Sequence, residues 1–415
     1  MNFNGVSDFE ISRLLLSLAF LLSSALALGQ LFHGFRLPRV IGEICAGLVL
    51  GPSLLGQHAP YVHQWIFRAF DDQAKLLSMF YWWGLILLMF SAGFKVSTTF
   101  AKKDHSLVPK LIVGGVGLPF IFGFAGSSWL PNRLGPDPLA FSLVVATAAA
   151  VTSIPVLTKI FLDLGIGSGR FARLTLAAAA VQDLLIWAVL SMAIAIQQGQ
   201  IVHPSDLLIT ILTTLAFSAF SILIASRLVR LSGRMLLGRS PHDALHGYTL
   251  LVCLVLVSVA GLLKVNIVFG AILAGIVIGR VMAPQMEAVR CAITNVSAWF
   301  FVPIYFALVG MQIDLRANLD VDLLLGFWVV SSIIKVASVV LFTGKTAGSW
   351  SRALDFGIVM NARGGPGIVL ASLAYATRII DQYLFTALII TSILTSLTAG
   401  IWLRMRLHMH PEQFE

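Results

Sequence analysis

Long apolar runs recur along the whole chain, and short polar or charged stretches separate each run from the next. An α-helix needs about 20 residues to cross the hydrocarbon core of a bilayer. Thirteen runs fit or approach this length, at about 11–32, 39–56, 76–94, 107–129, 138–162, 171–197, 205–228, 245–263, 265–283, 292–311, 322–343, 353–376 and 383–403. The pattern predicts an all-α polytopic membrane protein that forms a single transmembrane domain over residues 1–415.

The composition supports a membrane protein and excludes soluble classes. Hydrophobic residues make up 58% of the chain and charged residues only 11%, whereas soluble domains carry about 25% charged residues. The first run is long enough to span, and no clear cleavage site follows it, so we expect no removable signal. Cys45, Cys253 and Cys291 show no disulfide or metal-ligand spacing. We therefore expect neither a cofactor nor a redox or structural metal centre.

The charge distribution predicts an orientation. With the N-terminus outside, 19 of the 28 Lys and Arg residues fall on inside segments and 7 fall on outside segments. This asymmetry fits the positive-inside rule and predicts an N-out, C-in topology. The formal net charge of +9 is therefore mainly a topology signal, which argues against a nucleic-acid partner.

Three charged residues qualify strongly as functional, because a charge deep inside a predicted span is costly. Asp183 lies near the centre of span 6, Lys335 near the centre of span 11, and Arg363 within span 12. Glu43, near the inner end of span 2, is a weaker candidate because water is within reach. Asp183 and Lys335 could instead form a purely structural ion pair, and Arg363 could merely neutralise carbonyls at a helix end.

A buried aspartate offers a simple route to ion exchange. Burial and a neighbouring cation act on a carboxyl group in opposite directions. Such a group can hold a proton or a small cation, but not both at once. Competition for Asp183 would then give exchange, provided that the site faces each side of the membrane in turn.

Two predicted spans, the fifth and the twelfth, carry helix-breaking sequences near their middles. The residues concerned are Thr152, Ser153 and Pro155 in span 5, and Asn361, Gly364, Gly365 and Pro366 in span 12. Interrupted helices at matching places in two halves are the best sequence pointer to a transporter site. The odd offset of seven spans makes the two helices run in opposite directions. We therefore predict inverted repeats over about 11–197 and 245–403, joined by a linker helix at about 205–228.

Six segments resemble the monovalent cation:proton antiporter-2 family, in the expected order across nearly the whole chain. They are LPRVIGEICAGLVLGPSLLG (37–56), ATAAAVTSIPVLTKIFLDLG (146–165), RLTLAAAAVQDLLIWAVL (173–190), NIVFGAILAGIVIG (266–279), FFVPIYFALVGMQIDL (300–315) and MNARGGPGIVLAS (360–372). The resemblance implies the sodium/proton antiporter fold with thirteen spans. It also implies a homodimer, separate dimerisation and core domains, and an elevator-like movement of the core.

The resemblance also assigns roles to individual residues. Asp183 matches the family's ion- and proton-binding aspartate, and Gln182 stands where relatives carry Asp, Asn or Gln. Potassium-efflux members show this Gln-Asp pair, whereas electrogenic sodium exchangers usually show two acids. The unwound part of span 5, the basic residue of span 11 and the span 12 motif are matched by Thr152, Ser153, Lys335, Asn361 and Arg363.

The chain departs from the family pattern in two places. Many relatives carry a glutamate shortly after the MNARG string, where Pro366 and Gly367 stand here, so an acid that could pair with Arg363 is missing. The chain also ends about a dozen residues after span 13. We therefore expect no cytosolic regulatory domain, while a separate regulatory subunit stays open.

We thus expect a secondary antiporter, and not an enzyme, in the cell (inner) membrane. It would exchange K⁺ or Na⁺ for H⁺ by alternating access, with K⁺ slightly favoured and an electroneutral 1:1 stoichiometry. Asp183 would be the shared site, and Gln182, Thr152 and Ser153 would supply neutral oxygens. Lys335 and Arg363 would compensate charge. If Lys335 instead released its own proton when the cation binds, transport would be electrogenic.

Two alternatives remain. A cation-coupled symporter of an organic anion could use the same fold, and a channel or membrane sensor could use the broken helices as a gate.

Overall fold

The computed structural model describes residues 7–35, 38–96, 107–131, 137–167, 169–199, 204–237, 242–281 and 284–409, and within these ranges it contains helices and no strands. The helices of the first half are α1 (Asp8–Gly34), α2 (Arg39–Leu50), α3 (Leu55–His58), α4 (Pro60–Phe67), α5 (Gln73–Val96), α6 (Leu107–Ile112), α7 (Leu118–Gly126), α8 (Pro138–Ala150), α9 (Ile154–Asp163) and α10 (Arg170–Gln197). A π-helical turn, Val113–Gly117, joins α6 to α7, and a 3₁₀ turn, Ser127–Trp129, follows α7.

The second half contains eleven further helices. They are α11 (Pro204–Ala219), α12 (Ser226–Leu237), α13 (His242–Leu262), α14 (Ile267–Gly279), α15 (Pro284–Val296), α16 (Val302–Met311), α17 (Leu315–Asn318), α18 (Val321–Thr343), α19 (Trp350–Met360), α20 (Gly364–Ala376) and α21 (Gln382–Met409). Two more π-helical turns, Phe220–Ala225 and Ser297–Phe301, join α11 to α12 and α15 to α16.

Each of the thirteen predicted spans coincides with one or more of these helices. Eleven segments of the described chain are long and apolar enough to cross a membrane. The ninth span is shorter than predicted, because α14 has 13 residues, and residues 282–283 of the predicted span lie outside the described part. The twelfth span consists of two short helices, α19 and α20, with a break between them. The all-α membrane architecture is therefore confirmed, while the number of crossings and the orientation stay predictions.

The chain divides into two compact units that interleave in sequence. The first comprises residues 1–91 and 284–319, and the second comprises residues 92–283 and 320–415. Both broken helices and all the predicted site residues except the weaker candidate Glu43 belong to the second unit.

Glycines allow very close helix packing in the first unit. A Cβ atom on Gly47 of α2 would lie 1.9 Å from the carbonyl oxygen of Ala307 in α16. In the same crossing, a Cβ atom on Gly310 would lie 2.1 Å from the carbonyl oxygen of Ile44. Small residues at a membrane helix crossing let the two backbones touch, which maximises dispersion contacts where the hydrophobic effect is weak. The α2–α16 crossing therefore requires glycine at both positions.

The interior of the second unit is apolar at one end of the broken helices. Phe171 of α10 stacks on Phe356 of α19 with ring centroids 4.4 Å apart, and Phe161 of α9 meets Phe171 edge-on at 6.0 Å. These three rings join α9, α10 and α19 into one buried cluster. Such aromatic pairs are worth about 0.5–1.5 kcal/mol each beyond their buried area.

A buried ion pair fastens α21 to α19. Arg406 donates from Nε to Asp355 Oδ1 at 2.8 Å and from Nη2 to Asp355 Oδ2 at 3.1 Å. Trp402 Nε1 donates to the same Oδ1 atom at 2.9 Å. Asp355 is fully buried, and a bidentate pair of this kind fixes geometry as well as charge. The middle turn of α19 is therefore held to α21 by three hydrogen bonds that Asp355 accepts.

We predict that Gly310→Ala lowers the stability of the protein by about 1–3 kcal/mol, because the new methyl group must push apart two backbones that are in contact. The measurement is the melting temperature of the purified protein in detergent. Gly326→Ala in α18 is the matched control, since a Cβ atom there meets nothing within 4 Å. An unchanged melting temperature for Gly310→Ala would show that the α2–α16 crossing is looser than described.

Candidate functional site

The first helix break follows from a proline in the first turn of a helix. Asp137 caps α8 by accepting from Leu139 N and Ala140 N, and the helix ends at Ala150. Pro155, the second residue of α9, has no N–H group for the carbonyl of Val151, and its ring would clash with that carbonyl in a continuous helix. The backbone of Val151 accordingly turns to an extended conformation with ψ 141°. The break therefore leaves the carbonyls of Ala150 and Val151 without helical donors.

The second break also results from a proline in the first turn of a helix. Pro366, the third residue of α20, cannot donate to the carbonyl of Ala362. That carbonyl instead accepts from Ser153 N of the first break at 2.7 Å. Gly364 lies at the crossing with φ +39°, and a Cβ atom there would meet Val156 Cγ2 at 2.3 Å. The two breaks are thus joined backbone to backbone, and glycine is required where they meet.

Lys335 supplies donors to the carbonyls at the end of α8. Its Nζ lies 2.6 Å from Ala150 O, 2.6 Å from Val151 O and 2.9 Å from Thr152 Oγ1. An ammonium group has three protons and no acceptor capacity, so these three acceptors use all its donors. The cation also lies at the partially negative C-terminal end of α8, where positive charge is favourable. Lys335 is fully buried and is satisfied mainly by backbone and not by a carboxylate.

Thr152 links the lysine to Gln182 on α10. Its Oγ1 lies 2.9 Å from Gln182 Oε1 and 2.8 Å from Met360 O, and its single hydroxyl proton can be donated to one of them at a time. Gln182 Nε2 donates to Leu111 O in α6 at 3.0 Å. All three side chains, Lys335, Thr152 and Gln182, are fully buried. One hydrogen-bonded chain therefore connects α18, the first break and α10.

Gly115, in the π-helical turn after α6, leaves space for the side chain of Gln182. A Cβ atom on Gly115 would lie 2.2 Å from Gln182 Nε2. Single π-turns inside α-helices occur frequently at functional sites. This turn brings the backbone of span 4 against the glutamine amide.

Asp183 follows Gln182 in the middle of α10, and its surroundings differ from those of its neighbour. It is 7% exposed, and its Oδ1 atom is buried with no hydrogen-bond partner among the described residues. No ion pair joins Asp183 to Lys335 in the part of the chain that the structure describes, where Lys335 Nζ donates to three other acceptors. The direct pair considered from the sequence is therefore not formed. Asp183 is therefore a buried carboxyl group of which one oxygen, Oδ1, accepts no hydrogen bond from the described residues.

Arg363 uses hydroxyl, amide and aromatic partners in place of the missing glutamate. Its Nη2 donates to Ser331 Oγ at 2.6 Å and to Asn361 Oδ1 at 3.5 Å. The guanidinium carbon lies 5.5 Å from the ring centroid of Phe327, within the range of a cation–π contact. Nε and Nη1 have no hydrogen-bond partner among the described residues. Arg363 therefore faces α18 with part of its donor capacity unused.

The structure brings together most of the residues that the sequence suggests. Thr152, Ser153, Gln182, Lys335 and the residues of the second break form one contiguous buried set. Glu43 belongs to the first unit, where it is buried on α2. The structure adds Gly115, Ser331 and the backbone oxygens of Ala150 and Val151, which no sequence signal singled out.

Comparisons with known proteins agree with this architecture. The sequence model of the transmembrane sodium/hydrogen exchanger family matches residues 19–408. The Na(+)/H(+) antiporter NhaS4 of Synechocystis is 26% identical over 403 residues, which cover 92% of this chain and 94% of that protein. Cation/H(+) antiporter 18 of Arabidopsis thaliana is 25% identical over 94% of this chain but 48% of its own length. The chain thus spans about half the length of that relative.

A solved structure has the same fold. The sodium proton antiporter MjNhaP1 from Methanocaldococcus jannaschii superposes with a TM-score of 0.70, at 15% identity, over 95% of this chain and 98% of its own. This confirms the antiporter fold that the sequence predicts. These matches give no support to the organic-anion symporter.

We predict that Thr152→Val lowers stability by about 1–3 kcal/mol, because buried polar atoms of Lys335 and Gln182 lose their shared partner. Thr152→Ser retains the hydroxyl and should keep the melting temperature close to that of the unmodified protein. Both variants are compared by thermal unfolding in detergent. Equal stability of the Val and Ser variants would mean that the hydroxyl does not hold the network together.

Proposed function

Because the chain belongs to the transmembrane sodium/hydrogen exchanger family, we propose that it is a secondary antiporter that exchanges Na⁺ or K⁺ for H⁺, with Asp183 as the shared site. The observation that carries the proposal is the buried Oδ1 atom of Asp183, which has no hydrogen-bond partner among the described residues, while Lys335 uses all its donors on other groups. The family is one of membrane transporters, so the chain acts in a cell membrane on ions and not as a classical enzyme.

Burial makes the empty, ionised site costly. An unpaired carboxylate away from water costs several kcal/mol, and two ligands can remove that cost. A proton neutralises the carboxyl group, and a monovalent cation balances its charge. Since both ligands need the same oxygens, binding one displaces the other. This competition couples the two fluxes without any further component.

Neutral oxygens near the carboxyl group would complete the cation's coordination. Gln182 Oε1 can accept one hydrogen bond, from Thr152, and a carbonyl oxygen has two lone pairs. Its second lone pair is a candidate ligand, and the hydroxyls of Thr152 and Ser153 are further ones. Their positions are fixed by the hydrogen bonds between the two breaks. Selectivity between Na⁺ and K⁺ depends on cavity size and ligand number, and the Gln182–Asp183 pair favours K⁺ slightly.

Lys335 is proposed to keep its proton throughout the cycle. Deprotonation would remove a donor from a group of three acceptors, two of which are backbone carbonyls with no helical donor. Unsatisfied buried carbonyls are costly, so the network opposes the loss of that proton. One cation would then be exchanged for one proton, without net charge movement. Arg363 is proposed to compensate charge at the second break, where its buried side chain donates to Ser331 Oγ and Asn361 Oδ1.

The organisation of the chain is proposed on the same basis. Inverted repeats over about 11–197 and 245–403, with a linker at 205–228 and the N-terminus outside, are supported by the two proline breaks and by the distribution of basic residues. A homodimer in the membrane is part of the proposal, and a separate regulatory subunit is left open.

We predict that an acid-inside pH gradient in proteoliposomes collapses when one alkali cation is added, and that Asp183→Asn reduces this flux to the level of protein-free vesicles. Na⁺, K⁺, Li⁺ and choline are added in turn, and a pH-sensitive dye reports the internal pH. Asp322→Asn, which changes an exposed acid near the start of α18, should leave the flux unchanged. Asp183→Asn protein that is folded and still exchanges a cation for protons would refute the assignment of the site.

We also predict that the initial rate of exchange is insensitive to membrane potential. A potential of either sign is imposed with a gradient of the permeant anion thiocyanate, and a potential-sensitive dye confirms it in the same vesicles. Constant rates are expected because Lys335 stays charged while one cation replaces one proton. A rate that rises with one polarity and falls with the other would show that net charge moves.

A further inference from the structure

The second unit contains a cavity that the transport site does not use. It lies between α18, α19 and α21 and has a volume of about 460 Å³, within the range of roughly 300–1,000 Å³ that is typical of ligand sites. Its inner wall is formed by Trp328, Ser332, Val336, Ile358, Asn361 and Trp402. The cavity therefore extends from the face of α18 to the first residue of the second helix break.

The mouth of the cavity is apolar and exposed. Ile333 and Val329 of α18 are 62% and 43% exposed, and Ile401 and Met405 of α21 are 58% and 48% exposed. Both helices are long and apolar enough to cross a membrane, and these residues lie within them. In a helix that crosses a bilayer, exposed aliphatic side chains face lipid chains. The cavity thus opens sideways toward hydrocarbon and not toward water.

The inner wall is held in place by polar contacts behind it. The indole of Trp402 is fixed by its hydrogen bond to Asp355, which in turn pairs with Arg406. The floor residue Asn361 accepts from Arg363 at 3.5 Å. Because these two side chains are tied to neighbouring groups, neither of them can fill the cavity by a simple rotation. The cavity is therefore preformed.

The lining decides between water and hydrocarbon as the occupant. A stable buried water needs two to four polar partners, whereas apolar cavities stay dry and bind apolar molecules. Most of the lining consists of aliphatic and indole side chains. Leaving such a cavity empty would forfeit dispersion contacts around its whole wall. A flexible hydrocarbon chain from the adjacent bilayer is the ligand that fits both the lining and the mouth.

We propose that this cavity is a binding site for one acyl chain of a membrane lipid, which enters between α18 and α21 and ends against the second helix break at Asn361. The chain would pack between the indoles of Trp328 and Trp402. The proposal rests only on the cavity and the membrane architecture. It therefore holds whether or not Asp183 is the ion site.

The test uses a phospholipid with a photoreactive diazirine near the end of one acyl chain, mixed at low fraction into vesicles that contain the full chain. After illumination, mass spectrometry maps the labelled residues. We expect strong labelling of Ile358, which lies inside the cavity, in excess of Val330, which is 55% exposed near the middle of α18 but lies outside the cavity lining. Surface contact alone would give the opposite order.

Ser332→Phe supplies the decisive variant. Ser332 Oγ has no hydrogen-bond partner among the described residues, so replacing it breaks no hydrogen bond while the ring fills the cavity. We expect loss of labelling at Ile358 and retention at Val330. Val330→Phe, at an exposed position of α18 outside the cavity lining, should preserve the labelling at Ile358.

Two outcomes would overturn the proposal. One is labelling at Ile358 that is no stronger than at Val330, or that Ser332→Phe leaves unchanged. The other is protection of both Ile333 and Ile358 from label, which would mean that a second copy of the chain covers the mouth.

Discussion

Backbone carbonyls that lose their helical donors inside a membrane must find new ones, and the rest of this site depends on how that need is met. Water is not available in the hydrocarbon core, so each unsatisfied group would cost several kcal/mol. Pro155 and Pro366 each remove one donor. The ammonium group of Lys335 donates to the carbonyl of Val151, four residues before the first proline. The amide of Ser153 donates to the carbonyl of Ala362, four residues before the second. The positions of α8, α18 and α20 follow from these two contacts.

Because Lys335 donates to other oxygens, it does not pair with Asp183, and Asp183 Oδ1 has no hydrogen-bond partner among the described residues. A lysine that paired directly with the aspartate would neutralise it and close the site. Here the three ammonium protons are directed to Ala150, Val151 and Thr152, and the lysine acts on the carboxyl group only through its charge. The electrostatic interaction lowers the cost of a buried negative charge without occupying the oxygens. An exchanger needs this combination, because a ligand must be able both to bind and to leave.

Much of the fold could be predicted from the sequence, because apolar length and proline position are local properties. The limits of α8 and α9 follow from Asp137 at one end and Pro155 in the middle, and the burial of Asp183 and Lys335 follows from their central positions in spans. The partners of those charges could not be predicted, since they depend on which helices are neighbours. The sequence suggested an Asp183–Lys335 pair, whereas the lysine binds backbone oxygens that carry no sequence signal. Similarly, nothing in a single sequence links Asp355 to Arg406 across 51 residues.

The hydrogen bond from Ser153 to Ala362 has a consequence for how such a protein can be recombined. It joins residues 209 positions apart, and Gly364 of one half needs the space beside Val156 of the other. A chimera built by fusing the first spans of one exchanger to the last spans of another would therefore join two helix surfaces that are not complementary in shape. Swapping both breaks together, with the lysine helix, would transfer an intact crossing. The smallest interchangeable part of this molecule is thus the pair of crossed helices together with the lysine helix, although its pieces lie far apart in the chain.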